Sequence, residues 1–246
     1  MRGVATILRR ELAGLFFSPL AWVLLCIGLF LVGWEFTTAI VELRGDVIAG
    51  MAYAAGGGGA TYWGVMVFLP PLLTMRMISE EARTGMLEFL QTAPVSDFAV
   101  VLGKFLAAWI FMSLFWSCLL VYGATIHVLG VDPDWGSVVG GYLGAVSVSG
   151  LFCAIGLLCS SLTGTPLLAA FLGIIANIVA IRLPQLAALP NIKWLRWSSG
   201  HVDLVTSLQR SYLVGVLDSQ VIVFFLAWTF FFLFLSIRAV EARRWR

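Results

Sequence analysis

Long apolar runs, rather than alternating or amphipathic stripes, dominate the chain. A membrane-spanning helix needs about 20 mostly apolar residues, and six segments approach or reach that length. They are residues 20–38, 62–78, 100–121, 138–158, 166–181 and 221–237. The pattern therefore predicts an all-α integral membrane protein with six transmembrane helices, which form a single transmembrane domain over residues 1–246.

Two further segments have the periodicity of amphipathic helices. In residues 1–17, Val4, Ile7 and Leu15 recur at helical spacing, which predicts a helix lying in the membrane interface and ended by Ser18-Pro19. The polar residues of interest in this interfacial helix are Arg9, Arg10 and Glu11. Before the last span, Val202, Val205, Leu208 and Tyr212 form a second stripe, which predicts an outer amphipathic helix.

Composition supports the membrane assignment and excludes several function classes. Only 11% of residues are charged and the mean hydropathy is +0.99, whereas soluble domains carry roughly 25% charged residues. The net charge of +2 is too small to indicate a nucleic-acid partner. The run AGGGGA at residues 55–60 lacks the Gly-Lys-Ser/Thr of a phosphate-binding loop. It predicts a flexible outer loop, and we expect no cofactor, no metal site and no catalytic residue on this chain.

The distribution of lysine and arginine predicts the orientation. With both termini in the cytoplasm, ten basic residues lie inside and five outside. The inside set is Arg2, Arg9, Arg10, Arg76, Arg83, Lys104, Arg238, Arg243, Arg244 and Arg246; the outside set is Arg44, Arg182, Lys193, Arg196 and Arg210. The connection between the second and third spans is then cytoplasmic.

That connection, Ser79–Pro94, carries four charges within ten residues. Ser79 followed by two glutamates predicts either a capped helix start or the charged end of the second span. After Thr84-Gly85, Met86, Leu87 and Leu90 line one side of a short helix that Pro94 ends. Ser96 predicts the N-cap of the next helix. A short helix between two spans, with an apolar stripe and charged flanks, is suited to a groove on a cytoplasmic partner.

Several residues inside the spans are unusual. Pro70-Pro71 predicts a kink whose freed carbonyls are satisfied by neighbouring helices. Glu35 lies either at the outer interface or in a buried pathway or structural pair. The small residues around Gly140 and Gly144 favour close helix packing. Glu11 falls within the apolar stripe of the interfacial helix. It either pairs with a basic or amide-rich cytoplasmic element, with Arg76 or a partner's surface as the candidates, or extends to water.

The string RTGMLEFLQTAPVSDFAVVLGKF, residues 83–105, resembles the signature of ABC-2 type permeases, in which this region forms the coupling helix. The likeness is closest to the gliding-motility-type ABC permeases. Residues 10–22 resemble their start, residues 70–85 their second span and its exit, and residues 141–163 and 201–246 their later helices. The resemblance assigns ATPase coupling to Glu80, Glu81, Arg83, Thr84, Gly85, Met86, Leu87, Glu88, Leu90 and Pro94.

The resemblance implies a permease subunit of an ATP-driven exporter in the bacterial inner membrane, and not an enzyme. Such a subunit pairs with a second permease-type subunit, either the same chain or a relative, and with an ABC ATPase dimer that binds ATP and Mg²⁺. An auxiliary subunit with an extracytoplasmic domain often accompanies it, and membrane lipids surround it. The alternative is a mechanotransmitting or scaffolding subunit, which signals to an extracytoplasmic partner without moving a substrate.

Overall fold

The computed structural model describes residues 2–85, 96–187, 203–215 and 218–243, with the backbone alone for Arg2 and residues 183–187. These residues contain helices and no strands, so the predicted all-α class is confirmed for the described chain. The α-helices are α1 (Arg2–Phe17), α2 (Pro19–Glu42), α3 (Val47–Ala52), α4 (Ala60–Thr74), α5 (Ser79–Arg83), α6 (Asp97–Trp116), α7 (Cys118–Val128), α8 (Trp135–Leu162), α9 (Pro166–Ala187), α10 (Leu204–Arg210) and α11 (Ser219–Arg243).

Four helical stretches in the described ranges are long and apolar enough to cross a membrane. They are Pro19–Glu42, Asp97–Val128, Trp135–Leu162 and Ser219–Arg243, and each contains one of the predicted spans. The second stretch combines α6 and α7, which meet at Ser117. Ser96 caps the start of α6 as predicted, because its hydroxyl accepts a hydrogen bond from the Ala99 amide at 3.3 Å.

The two other predicted spans correspond to shorter apolar helices. Helix α4 has 15 residues and is about 22 Å long at 1.5 Å per residue, less than the roughly 30 Å of a hydrocarbon core. The chain turns after Thr74 and begins α5 at Ser79, so the segment predicted as residues 62–78 is not one continuous helix. In α9, which runs from Pro166 to Ala187, the part with described side chains, Pro166–Arg182, is apolar. The count of six spans therefore stays a prediction.

Helix α8 lies at the centre of the bundle, in contact with α4, α6, α9 and α11. Its glycines permit close approach: a Cβ at Gly140 would collide with the carbonyl oxygen of Tyr212, and one at Gly144 with the Leu208 side chain. Tyr212 begins a short 3₁₀ turn after α10. The predicted role of these small residues in helix packing is confirmed.

The start of the glycine run after α3, predicted as a flexible outer loop, forms a partly buried turn, whereas Gly57 and Gly58 are exposed. Residues Tyr53–Gly57 form a π-helical turn in which Ala54, Ala55 and Gly56 are buried. Gly56 has φ +109°, a left-handed conformation that glycine adopts without a steric penalty. Its neighbours are the side chains of Tyr62 and Leu208. The packing surface that orders this turn thus comes partly from α10, about 150 residues away along the chain.

Glu35 is a structural residue of α2, and it caps the start of α4. Its side chain is buried, and its two carboxylate oxygens accept hydrogen bonds from the Thr61 amide at 3.1 Å and the Tyr62 amide at 2.9 Å. The first amides of a helix have no partner within that helix. Of the alternatives open from the sequence, the structure supports a buried structural pair, made with backbone amides.

The paired prolines of α4 are accommodated by α9. Proline has no N–H, so Pro71 leaves the carbonyl of Val67 without its helical donor. The buried amide of Asn177 in α9 fills that position, with Nδ2 donating to the Val67 oxygen at 3.3 Å. The predicted satisfaction of a freed carbonyl by a neighbouring helix is confirmed at Val67.

Candidate coupling site

The described part of the predicted coupling segment begins at a junction between α5 and α8. The Ser160 hydroxyl of α8 accepts hydrogen bonds from the amides of Ile78 at 3.2 Å and Ser79 at 3.1 Å. It also donates to the Met75 carbonyl at 3.0 Å. The buried Ser79 hydroxyl donates back to Met75 rather than capping α5. Ser160, which the sequence did not indicate, therefore fixes the start of α5 against the central helix.

The end of α5 is a glycine turn. The Thr84 hydroxyl donates to the Glu80 carbonyl at 2.9 Å, and Gly85 has φ +74°. A left-handed glycine directly after the last helical turn is a common helix terminator. Arg83, Thr84 and Gly85 are exposed. The remaining predicted coupling residues, Met86, Leu87, Glu88, Leu90 and Pro94, lie outside the described residues.

Four charged side chains from three helices meet beside α5, and we call Arg10, Glu11, Glu81 and Lys104 the charge cluster. Lys104 Nζ lies 2.9 Å from Glu11 Oε1 and 2.9 Å from Glu81 Oε1. Arg10 Nη2 lies 2.6 Å from Glu11 Oε1 and 2.7 Å from Glu81 Oε1. Each basic group therefore bridges both carboxylates, and the cluster has no net charge.

Local packing explains how a lysine comes to be buried in this cluster. Gly103 of α6 faces α1, and a Cβ there would lie 2.8 Å from the Ile7 side chain. The two helices therefore approach closely, and Lys104, which is 1% exposed, reaches Glu11. A buried ammonium is tolerated where it is paired and hydrogen-bonded. The two carboxylates supply both conditions.

The electrostatic effect on Glu11 is a net fall in its pKa. Burial by itself raises the pKa of this carboxyl, but the charge of Lys104 and the hydrogen bonds from Arg10 and Lys104 outweigh burial. The pKa of Glu11 therefore lies below its ordinary value of 4.5. The carboxylate form of Glu11 is the one that the cluster stabilises.

The predicted partner of Glu11 is only partly right. Glu11 has a basic partner as expected, but that partner is Lys104, with Arg10, and not Arg76. Arg76 instead lies near Glu80, four residues later in the chain, with its Nε 3.9 Å from Glu80 Oε2. Arg9 is exposed on α1. From the sequence, Lys104 was assigned only to the inside set of basic residues. The local signal for its burial is its position next to Gly103 in an apolar helix.

A cavity of about 300 Å³ adjoins the charge cluster between α1, α2, α4 and α5. Its lining includes the charged residues Glu11, Arg76, Glu80, Glu81 and Lys104. The remaining lining residues are mostly apolar and come mainly from α2 and α4. The site therefore combines charged groups, an apolar wall and the first half of the predicted coupling segment.

The chain matches a known protein family. A family model described as ABC-2 family transporter protein matches residues 49–197, which is more than half of the chain and includes all of Ser79–Pro94. A search of curated proteins finds no match to the chain. The central helix α8, the junction at Ser160 and the charge-cluster residues Glu81 and Lys104 all fall within the matched region. On this match, the chain belongs to the ABC-2 family of transporter membrane proteins.

Proposed function

We propose that the chain is the permease subunit of an ATP-driven ABC-2 type exporter, and that residues 79–94 dock it to a separate ATPase. The family match supports a permease subunit. The observation that carries the coupling proposal is the charge cluster, in which Glu81 of α5 is joined to α1 and α6. A force applied at the docking segment thereby reaches two helices that lead into membrane spans.

The route of that force has two branches. Glu81 forms an ion pair with Lys104 in the second turn of α6. Helix α6 is the first part of the apolar stretch Asp97–Val128. Glu81 also bonds to Arg10 of α1, which is followed directly by the span α2. Ser160 holds the start of α5 on α8. A displacement of α5 therefore acts on α1, α6 and α8 together, as alternating access between two sides of a membrane requires.

The finer assignments are part of the same proposal. Both termini lie in the cytoplasm of a bacterium, and the protein resides in the inner membrane with α5 on the cytoplasmic side. The functional unit contains a second permease-type subunit and an ATPase dimer that carries ATP and Mg²⁺, because each ATPase needs a docking segment and this chain offers one. Within the family, the strings at residues 10–22 and 70–85 support the gliding-motility type, with its auxiliary extracytoplasmic subunit.

The experiment that tests the proposal is recovery of the ATPase with tagged full-length chain purified from its native membrane. Burying a leucine side chain stabilises a contact by roughly 1.5–3 kcal/mol, so Leu90→Asp should weaken docking by more than about tenfold. Glu88→Lys should weaken it less and in a salt-dependent way, as expected for a charge at the rim of an interface.

The matched control is Leu129→Asp, which changes an exposed leucine after α7, on the opposite side in the predicted topology. This variant should recover the ATPase as well as the unmodified chain does. Membrane insertion is checked for all variants by fractionation. Normal ATPase recovery with Leu90→Asp, in a chain that reaches the membrane, would reject the docking role of the segment.

A further inference from the structure

The cavity beside the charge cluster has two chemically different walls. One wall is apolar and comes from Leu15, Leu20, Ala21, Leu24, Leu72, Leu73 and Met77. The other carries charged side chains of both signs. A volume of about 300 Å³ is at the lower end of the range for small-molecule sites. Its location at the junction of the predicted interfacial helix α1 and the span α2 suits a molecule that is polar at one end and apolar at the other.

The charged wall separates an anionic group from a cationic one. Glu81 lines the cavity, and its Oε2 is buried without a hydrogen-bond partner among the described residues. Arg10 and Lys104 both hold the other oxygen, Oε1, so Oε2 is the oxygen of this carboxylate that is left to accept from a ligand. Arg76 also lines the cavity, with a side chain that is 58% exposed and only a 3.9 Å contact to Glu80. Its guanidinium retains donors for an anion.

We propose that this cavity binds a zwitterionic phospholipid with a primary amine in its headgroup. The ammonium donates to Glu81 Oε2, which gives the buried carboxylate oxygen its missing partner. The phosphate accepts from Arg76, and one acyl chain lies along the apolar wall, which Ala21 and Leu24 help to form. This inference does not depend on docking of an ATPase.

The charge balance favours this lipid over other lipid classes. The three acidic residues of this region are matched by three basic ones, namely Glu11, Glu80 and Glu81 by Arg10, Arg76 and Lys104. A ligand with a net charge therefore gains little electrostatic binding energy. A choline headgroup has no N–H to donate to Glu81. An anionic glycerol headgroup offers no ammonium. A free amine or free phosphate leaves the apolar wall in contact with water, which is unfavourable.

The test is native mass spectrometry of the full-length chain, delipidated in detergent and titrated with palmitoyl-oleoyl phosphatidylethanolamine, phosphatidylcholine or phosphatidylglycerol. We expect the tightest site to prefer phosphatidylethanolamine over phosphatidylcholine by about tenfold, the effect of one charge-assisted hydrogen bond. Glu81→Gln should remove that preference, so that phosphatidylethanolamine and phosphatidylcholine bind with about equal affinity. Arg76→Gln should weaken the binding of all three lipids, because each of them carries the phosphate.

Ala21→Leu fills the cavity and leaves every charged side chain in place, so it should abolish the tightest site for all three lipids. Its matched control is Ala13→Leu, an exposed position on α1 that does not line the cavity. The control for Glu81→Gln is Glu241→Gln, which removes a carboxylate paired with Arg238 elsewhere. Equal binding of phosphatidylethanolamine and phosphatidylcholine by the unmodified chain would overturn the proposal. Unchanged binding by Ala21→Leu would do so too, and neither result bears on ATPase recovery.

Discussion

Asn177 Nδ2 donates a hydrogen bond of 3.3 Å to the carbonyl of Val67, the oxygen that Pro71 deprives of its helical donor. One side-chain amide on α9 thus supplies one of the two backbone hydrogen bonds that the paired prolines remove from α4. In a membrane no water is available to take that place. The relationship offsets part of the cost of two adjacent prolines in a helix that continues from Ala60 to Thr74.

The first prediction follows from this bond. Asn177→Leu should lower the free energy of unfolding by about 0.6–1.7 kcal/mol, the range for interhelical hydrogen bonds in membranes. Unfolding by SDS in mixed micelles gives the measurement. Thr125→Val is the control, because the Thr125 hydroxyl bonds only within its own helix among the described contacts. Combining Pro71→Ala with Asn177→Leu should reduce the loss, since the alanine amide restores a donor to Val67. A purely additive double variant would contradict this account.

The second prediction concerns Lys104. Lys104→Met keeps most of the side-chain volume but leaves Glu11 and Glu81 with Arg10 as their remaining partner in the cluster. We expect the free energy of unfolding to fall by about 1.5–3 kcal/mol, the net contribution of a hydrogen bond to a charged group. Arg238→Met breaks an exposed pair with Glu241 and should change it by less than about 1 kcal/mol. Equal losses in both variants would show that burial of the cluster has no energetic role.

The third prediction is a pH dependence with a definite sign. The pKa of Glu11 is lower in the folded protein than its ordinary value of 4.5. Its contribution to stability is therefore complete above about pH 4.5 and is lost as the pH falls through the folded-state pKa. The difference in melting temperature between the unmodified chain and Glu11→Gln should be largest near neutral pH and shrink below about pH 4.5. A difference that stays constant into acid would contradict the ionised pairing of Glu11.

These relationships show what the pattern of residues could and could not predict. Apolar run length predicted α2, α8 and α11, since long runs have few alternatives to a buried or membrane helix. The Ser96 cap was predictable because capping is local. The bond between Lys104 and Glu11 joins residues 93 positions apart. No local periodicity encodes such a contact, and the buried glycine turn likewise depends on Leu208, far along the chain.

The fourth prediction compares two glycines. A Cβ at Gly140 collides with the backbone oxygen of Tyr212, whereas a Cβ at Gly64 has no atom within 4 Å apart from its chain neighbours and its own helix backbone. Gly140→Ala should lower the free energy of unfolding by about 1–3 kcal/mol, as overpacking does, because a backbone atom cannot move aside as a side chain can. Gly64→Ala should leave it unchanged or raise it, because alanine favours the helix more than glycine does. Detergent melting curves of the two variants provide the comparison.

The capping of α4 by Glu35 has a consequence for biogenesis. Glu35 leaves the ribosome 26 residues before Thr61, the first of the two amides that it binds. At a synthesis rate of about 5–20 residues per second, the amides that bind this carboxylate are made roughly 1–5 s after it. An acidic side chain within a spanning helix opposes insertion by a few kcal/mol. We therefore expect α2 to leave the translocon together with α4 rather than ahead of it. A nascent chain halted before Thr61 should insert α2 less completely than the same chain carrying Glu35→Leu.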